Sequence, residues 1–383
     1  MPARIAYIAR GQLRLIDGEG TLPRDFDSPF IQQARSRASS SQRRSRWKQE
    51  GSSYAAMMAR SGAGAQTDTI RYTGVARGQQ PHTFVHAVDT GAVSGMFSVD
   101  AEGNERRLFH SERFDVRHVA THRSGDLLAC CVLKDHVANV AVVRADGSTP
   151  QEVTEGDSLD LAPSWVPGTG RQVVFQSAGL PSPPRPGSPR APFSIQLLDV
   201  DRGEMRALAE DSERDLLLPR MTTGGDLFYI RCPHRPPSRA LAQGVTDVLR
   251  IPIRIGRGVM GFFDFFSRMQ GGPGSVKPAF DGGRQHDDFR LKSVLLHGAA
   301  GEDPNADAHA ERHPSHVSSA WELVKQRGTG PAEVVATGVF AYDVAENGAL
   351  AWTDGQRIFH REPGGREVEL AKDHLVHDVA CLA

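Results

Sequence analysis

Leu161-Ala162-Pro163-Ser164-Trp165-Val166-Pro167-Gly168-Thr169-Gly170, followed after Arg171 by Gln172-Val173-Val174-Phe175-Gln176-Ser177, sets the frame for reading the rest of the chain. A break rich in Pro and Gly separates two apolar runs that are too short for helices, and the second run is β-branched and aromatic. The stretch therefore reads as two strands joined by a turn, and Phe193 to Val200 supplies a third.

The unit recurs in both directions. Upstream, Val116 to Ala120 precedes the turn Arg123-Ser124-Gly125-Asp126, the runs Leu127 to Leu133 and Val137 to Arg144, the turn Ala145-Asp146-Gly147-Ser148, and Glu152-Val153-Thr154. Gly170 follows Gly125 by 45 residues, and Gly225, after Leu216 to Met221, follows Gly170 by 55. A further copy runs from Phe340 through Gly348 to Leu370, and a looser one covers Thr69 to Ser111. Gly348 comes 123 residues after Gly225, so at a repeat of about 40–45 residues that unit holds a long insertion.

The two ends complement each other. His377 to Ala383 reads as a first strand without its second, and Ile5 to Leu15 parallels Leu350 to Phe359. Pairing them closes a ring and removes the strand edges that an open array would expose. The expectation is an all-β, six-bladed β-propeller, one domain over residues 1–383, with N- and C-terminal strands sharing a blade. An irregular β-sandwich is the alternative, but it leaves the period and the complementary ends unexplained.

Pro163-Ser164-Trp165-Val166-Pro167-Gly168 with Val173 to Ser177 resembles the repeat of TolB-like propellers (PD40, WD40-like), in which a Pro-x-Trp-Ser-Pro-Asp-Gly box precedes an apolar strand. This copy matches best; Thr121-His122-Arg123-Ser124-Gly125 and Val344-Ala345-Glu346-Asn347-Gly348 stand in its place elsewhere. A second resemblance rests on Phe262-Phe263-Asp264-Phe265-Phe266-Ser267 and Arg43-Arg44-Ser45-Arg46-Trp47-Lys48. These look like the propeller components that accompany bacterial MoxR-type ATPases and von Willebrand A proteins. The resemblance implies a protein-binding accessory subunit.

The 383 residues carry 45 basic and 46 acidic side chains, a net charge of -1, which excludes a nucleic-acid protein held by overall charge. Four Cys, Cys130 and Cys131 being adjacent, give neither a disulfide framework nor a Cys-x-x-Cys pair. Arg10, Arg14 and Asp17 interrupt any signal-peptide run, and no 18-residue apolar window occurs, so a cytoplasmic location is expected.

Three insertions interrupt the ring. In residues 25–68, Phe30, Ile31, Ala34 and Ala38 fall at helical spacing towards Trp47, among Arg35, Arg37, Arg43, Arg44 and Arg46. The ordinary reading is a solvated or propeller-docked arm; a phosphate grip by Arg43, Arg44, Arg46 and Trp47 is the alternative. Residues 180–192 hold a Pro density that favours a mobile, extended inter-strand loop, with an SH3-like ligand as the alternative. Residues 234–318 contain an amphipathic segment whose apolar face carries Leu249, Ile255, Val259, Phe262, Phe263, Phe266 and Met269. This face needs a cover, supplied by the propeller itself, a protein partner or a membrane surface.

Chemical motifs are sparse. Gly256-Arg257-Gly258-Val259-Met260-Gly261 fits a phosphate-cradle string without the strand and helix that the cradle requires. His309, His313 and His316 are candidate metal ligands near Asp303 and Asp307, but Pro314 breaks the helix that would align them. His118 and His122 are expected at a rim. No Gly-x-Ser-x-Gly elbow occurs. The reading is a non-catalytic scaffold with a protein partner, no catalytic residue and no cofactor. The alternatives are a metal-dependent hydrolase or lactonase in the channel, or nucleic-acid binding through the basic arm.

Overall fold

The structure, a computed structural model, describes residues 4–37, 40, 70–91, 93–112, 115–125, 127–134, 136–146, 148, 150–168, 170–184, 190–234 and 317–382. The apolar runs form strands that pair into four four-stranded sheets and one eight-stranded sheet, the latter two blades joined by a single parallel bridge from Ala138 to Leu159, so six antiparallel blades can be told apart among these residues. β1 (Arg4–Ala9), β2 (Gln12–Asp17) and β3 (Arg24–Asp25) belong to blade 1. Blade 2 contains β4 (Arg71–Arg77), β5 (Phe84–Asp89), β6 (Ser94–Val99) and β7 (Glu105–Ser111). Blade 3 contains β8 (Asp115–Thr121), β9 (Leu127–Lys134), β10 (Val137–Arg144) and β11 (Gln151–Glu152). Blade 4 contains β12 (Ser158–Trp165), β13 (Gln172–Gly179), β14 (Ser194–Asp199) and β15 (Glu204–Ala209). Blade 5 contains β16 (Arg214–Met221), β17 (Asp226–Pro233), β18 (Glu322–Arg327) and β19 (Glu333–Thr337). Blade 6 contains β20 (Ala341–Val344), β21 (Leu350–Thr353), β22 (Arg357–Arg361) and β23 (Glu367–Lys372). β24 (Val376–Cys381) returns to blade 1 and pairs antiparallel with β1, Ala6 opposite Ala380.

The first strands touch in sequence, β24 to β4, β8, β12, β16, β20 and back to β24, so the ring is closed. Each junction is also stitched by a hydrogen bond between a side chain and the neighbouring backbone. Thr73 donates to the Val116 carbonyl at 2.8 Å, Trp165 Nε1 to Ala120 at 3.3 Å, and Tyr342 to Leu218 at 2.7 Å. Gln176 accepts from the Leu218 amide, Asp343 from that of Cys381 and Asp378 from that of Val75, at 2.8, 2.8 and 3.0 Å.

The second strands are covered on both faces by neighbouring blades, which is why Val173, Val174, Phe175 and Gln176 are all buried and read as an unbroken apolar run. Outer strands face solvent on one side, so β15 and β19 have no fully buried residue. The core is therefore a set of layers between blades. Turns between first and second strands place Gly125 at φ 75° and Gly225 at φ 79°, where a Cβ is disfavoured. In blade 4 the left-handed residue is Gly168, φ 73°, rather than Gly170.

Among the described residues one helix, α1 (29–37, with residue 40 also helical), follows β3. Ser28 caps it, its Oγ accepting from the Ile31 amide at 3.2 Å, and Glu105 Oε2 accepts from the Phe30 amide at 3.1 Å. Ile31 is buried, with Phe30 and Ala34 against the same core, and Phe30 meets Phe97 at 4.6 Å. The described part of the 25–68 arm is thus docked on blade 2. Ala38, Arg43, Arg44, Arg46 and Trp47 lie outside the described residues.

Candidate functional site

The first strands line the central channel, and most carry an extra residue at mid-length. Register breaks fall between Tyr72 and Gly74, Arg117 and Ala120, Leu161 and Ser164, and Leu217 and Arg220. His118, Ala162 and Leu218 sit in these breaks at φ 49°, 51° and 53°. A bulge re-aims the side chains around it, and here it gathers charge: His118 lies within electrostatic reach of Arg117, Arg220 and His377, contributed by blades 3, 5 and 1.

Burial, followed by the positive charges of Arg117 and Arg220, holds the His118 imidazole down at about 3, and burial also lowers His377. Both rings are neutral at physiological pH. His118 is partly accessible, but its Nε2 is sealed from solvent and accepts or donates no hydrogen bond. The rim position expected for His118 is therefore corrected: a left-handed bulge turns it into the channel lining. His122 does sit at a turn, 2.6 Å from the Ser124 hydroxyl and edge-on to Trp165 at 4.8 Å.

Arg117 is 3% exposed. Its nearest carboxylate is Asp115, at 3.9 Å, and its Nε and Nη2 have no hydrogen-bond partner. Arg71 is 2.9 Å from Asp89, and Arg220 is 3.7 Å from Asp343. Burial pushes the Asp378 carboxyl up to about 7 against the pull of the Val75 amide and Arg220. No group of three or more metal-ligating side chains occurs among the described residues. His309, His313 and His316, with the segment carrying Leu249, Ile255, Val259, Phe262, Phe263, Phe266 and Met269, lie outside them.

No protein-family model matches the sequence, and no curated protein is similar to it. Solved structures do share the architecture. TolB from Acinetobacter baumannii aligns with a TM-score of 0.52 at 10% identity, over 99% of this chain and 66% of the TolB chain. The tricorn protease gives 0.50 at 12% identity, over 99% of this chain and 34% of its own. A nidogen/laminin complex gives 0.50 at 8% identity, over 100% of this chain and 98% of that one. This chain folds as a TolB-like β-propeller. It spans less than two thirds of the TolB chain and about one third of the tricorn chain.

In this TolB-like propeller all three insertions leave from one face. Strands alternate in direction within a blade, and the parallel contact of Ala138 in β10 with Leu159 in β12 keeps the blades in the same sense. Turns between first and second strands therefore crowd one face. Second-to-third and blade-to-blade connections crowd the other, and these hold residues 180–193, 234–321 and 26–70.

Two of the three share a root. Asp215, fully buried at the start of β16, accepts from Arg190 at 2.6 and 3.0 Å, from the Phe193 amide at 2.8 Å, and approaches His234 Nδ1 at 3.1 Å. Arg190 also lies over the Phe193 ring at 4.2 Å. Burial raises the Asp215 carboxyl, but the bonds from His234 and Arg190 outweigh it and hold it below the usual carboxylate range. The Pro-rich connection, expected to be merely mobile, is thus fixed at its exit, and residues 185–189 lie outside the described part.

Proposed function

We propose that this chain is a non-catalytic protein-interaction scaffold whose insertion-bearing face receives a protein partner. One observation carries the reading: a closed ring that buries its own core sends all three long connections out of one face, and fixes two of them to the same buried carboxylate. A rigid ring with tethered, sequence-specific segments suits docking, because the scaffold loses little entropy on binding.

Within this reading Leu249, Ile255, Val259, Phe262, Phe263, Phe266 and Met269 form the apolar anchor, and Arg43, Arg44, Arg46 and Trp47 form a basic accessory contact. The partner to seek first belongs to a bacterial ATPase-linked assembly that pairs a MoxR-type ATPase with von Willebrand A proteins, the systems that the Phe262–Ser267 and Arg43–Lys48 strings resemble. No helix among the described residues is long and apolar enough to cross a membrane.

The test is affinity purification from the native host with nuclease present, comparing the full chain with one lacking Gly256–Met269. The full chain should retain a stoichiometric protein that the deletion loses, while both melt at the same temperature. An undiminished complex after the deletion would remove the anchor assignment. A complex lost to nuclease would favour nucleic acid instead.

A further inference from the structure

Four outer strands, β7, β15, β19 and β23, are five to seven residues long. Each holds one residue with no partner on the strand inside it: Leu108, Leu208, Val335 and Leu370. The bulge is shared, so what sets the four apart is the side chains around it. β7 exposes Arg106, Arg107 and His110, β15 exposes Glu204 and Arg206, and β23 exposes Glu367, Glu369 and Lys372. Charges along an outer strand guard it against pairing with another chain.

β19 lacks that guard. After Glu333 it reads Val334-Val335-Ala336-Thr337, and Val334 is 44% exposed. β19 ends its sheet, pairing only with β18 among the described residues. It also runs towards the insertion-bearing face. The Trp321 carbonyl accepts the Gly338 and Val339 amides at 2.7 and 3.2 Å, which sets Trp321 beside the end of β19, and the Phe340 ring lies 5.8 Å from the indole. Both aromatics are half-buried. Glu322, opposite Thr337 on β18, is taken up by Arg231 at 2.7 Å. These groups are exposed or half-buried as they stand, so a strand can add here without any side chain leaving the core.

We propose that β19 is the edge to which the partner adds an extended strand of uncharged, β-branched residues, seating an apolar side chain against Trp321 and Phe340 at its end. This rests on the proposal that the insertion-bearing face receives a protein partner, and it gives that partner a chemistry. Strand addition draws affinity from main-chain hydrogen bonds and specificity from the side chains that alternate along the edge. An uncharged strand fits because Val334 to Thr337 offer no counter-charge, and a charge laid against them would be desolvated without one. A second copy of this chain fits less well, because self-pairing over a five-residue strand falls short of the about 1,200 Å² that a stable interface buries.

The probe is a short synthetic peptide of alternating Thr and Val between terminal Lys residues, titrated against the full chain beside a counterpart N-methylated on its bonding edge. Hydrogen exchange over 333–337 should slow about tenfold or more with the first peptide and stay unchanged with the second. Val334→Lys, at an exposed position, should keep a Tm close to the parent and bind the peptide about tenfold or more weakly. In affinity purification from the native host it should lose the same stoichiometric protein that the chain lacking Gly256–Met269 loses. Retention by Val334→Lys with loss on the deletion overturns strand addition and leaves the docking face standing, whereas retention by both removes the docking face itself. No slowing by the peptide also overturns strand addition. So does a free chain whose 333–337 amides are as protected as those of β18, since the edge is then covered already, and so do dimers that Val334→Lys dissolves, since the occupant is then a second copy.

Discussion

Asp378 joins blade 1 to blade 2 by accepting the Val75 amide, and burial pushes its carboxyl up to about 7. An unfolded Asp titrates near about 3.9, so between pH 4 and 7 the folded chain holds a proton that the unfolded chain has released. By linkage this group favours the fold increasingly as pH falls from 7 to 4, and withdraws that contribution as pH rises through 7. Asp378→Asn keeps the acceptor and removes the charge. In urea titrations it should approach the parent near pH 3, exceed it by about 1.5 kcal/mol at pH 5, and exceed it by about 4 kcal/mol at pH 8. Equal destabilisation at pH 5 and pH 8 would mean that an ionised Asp378 supports the fold. His118 acts in the opposite sense: folded near 3 against about 6.5 unfolded, its neutral form favours the fold above pH 6.5 and that contribution drains away towards pH 3. Asp378→Asn should therefore also show a steeper acid loss than the parent. None of this was readable from local sequence, because Arg71, Arg117, Arg220 and Asp378 stand in four different blades and meet only when the ring closes.

Two elements show how far a local pattern carries. The spacing of Phe30, Ile31 and Ala34 gives the buried side of α1, and Ser28 before it is an ordinary cap. The group that locks the helix down, Glu105, is 75 residues away on β7. Its carboxylate also meets His86 at 3.0 Å, a fully buried ring stacked on Phe97 at 5.3 Å. Burial raises Glu105, but the bonds from His86 and Ser28 outweigh it and hold it below its usual range. Glu105→Ala leaves the Phe30 amide and the His86 ring without their acceptor, at about 1–3 kcal/mol. Hydrogen exchange should then lose protection over 29–37 before the blades, and trypsin should cut at Arg35 or Arg37; an unchanged exchange pattern would place the latch elsewhere. Asp215 gives the larger effect. It stands just before the apolar run Leu216 to Met221, where nothing local marks it as the shared anchor of two connections. Asp215→Ala strands the nearly buried Arg190 beside Phe193, and breaking such a pair costs about 3–5 kcal/mol. The expected readout is a lowered Tm with early exchange at Arg190 to Phe193.

At the scale of the molecule, the ring was legible because its evidence is repetitive: turn glycines and short apolar runs recur at blade spacing, and the tail asks for a partner that the head supplies. Trp165 spans a blade junction by donating to Ala120, which accounts for a large aromatic at a turn-flanking position. Local pattern does not report which strands are indispensable, and the closed ring does. β24 touches β20 on one side and β4 on the other while pairing with β1, so it completes blade 1 and packs on blades 6 and 2. β11 is a two-residue exposed edge paired only with β10. Deleting residues 376–382 therefore opens two blade junctions, exposes the edge of β1, and uncovers the layer of Ile5, Tyr7 and Ile358. The truncated chain should lose its single cooperative melt and self-associate through the freed edge, visible as higher-mass species in size exclusion with light scattering. Replacing Gln151 by Pro, which removes one amide from an outer strand, should leave a monomeric, cooperative ring with a Tm close to the parent. If the truncation instead melts like the Gln151→Pro ring, closure by β24 is dispensable, and cohesion must lie in the other junctions, with Thr73, Gln176 and Tyr342 as the next stitches to remove.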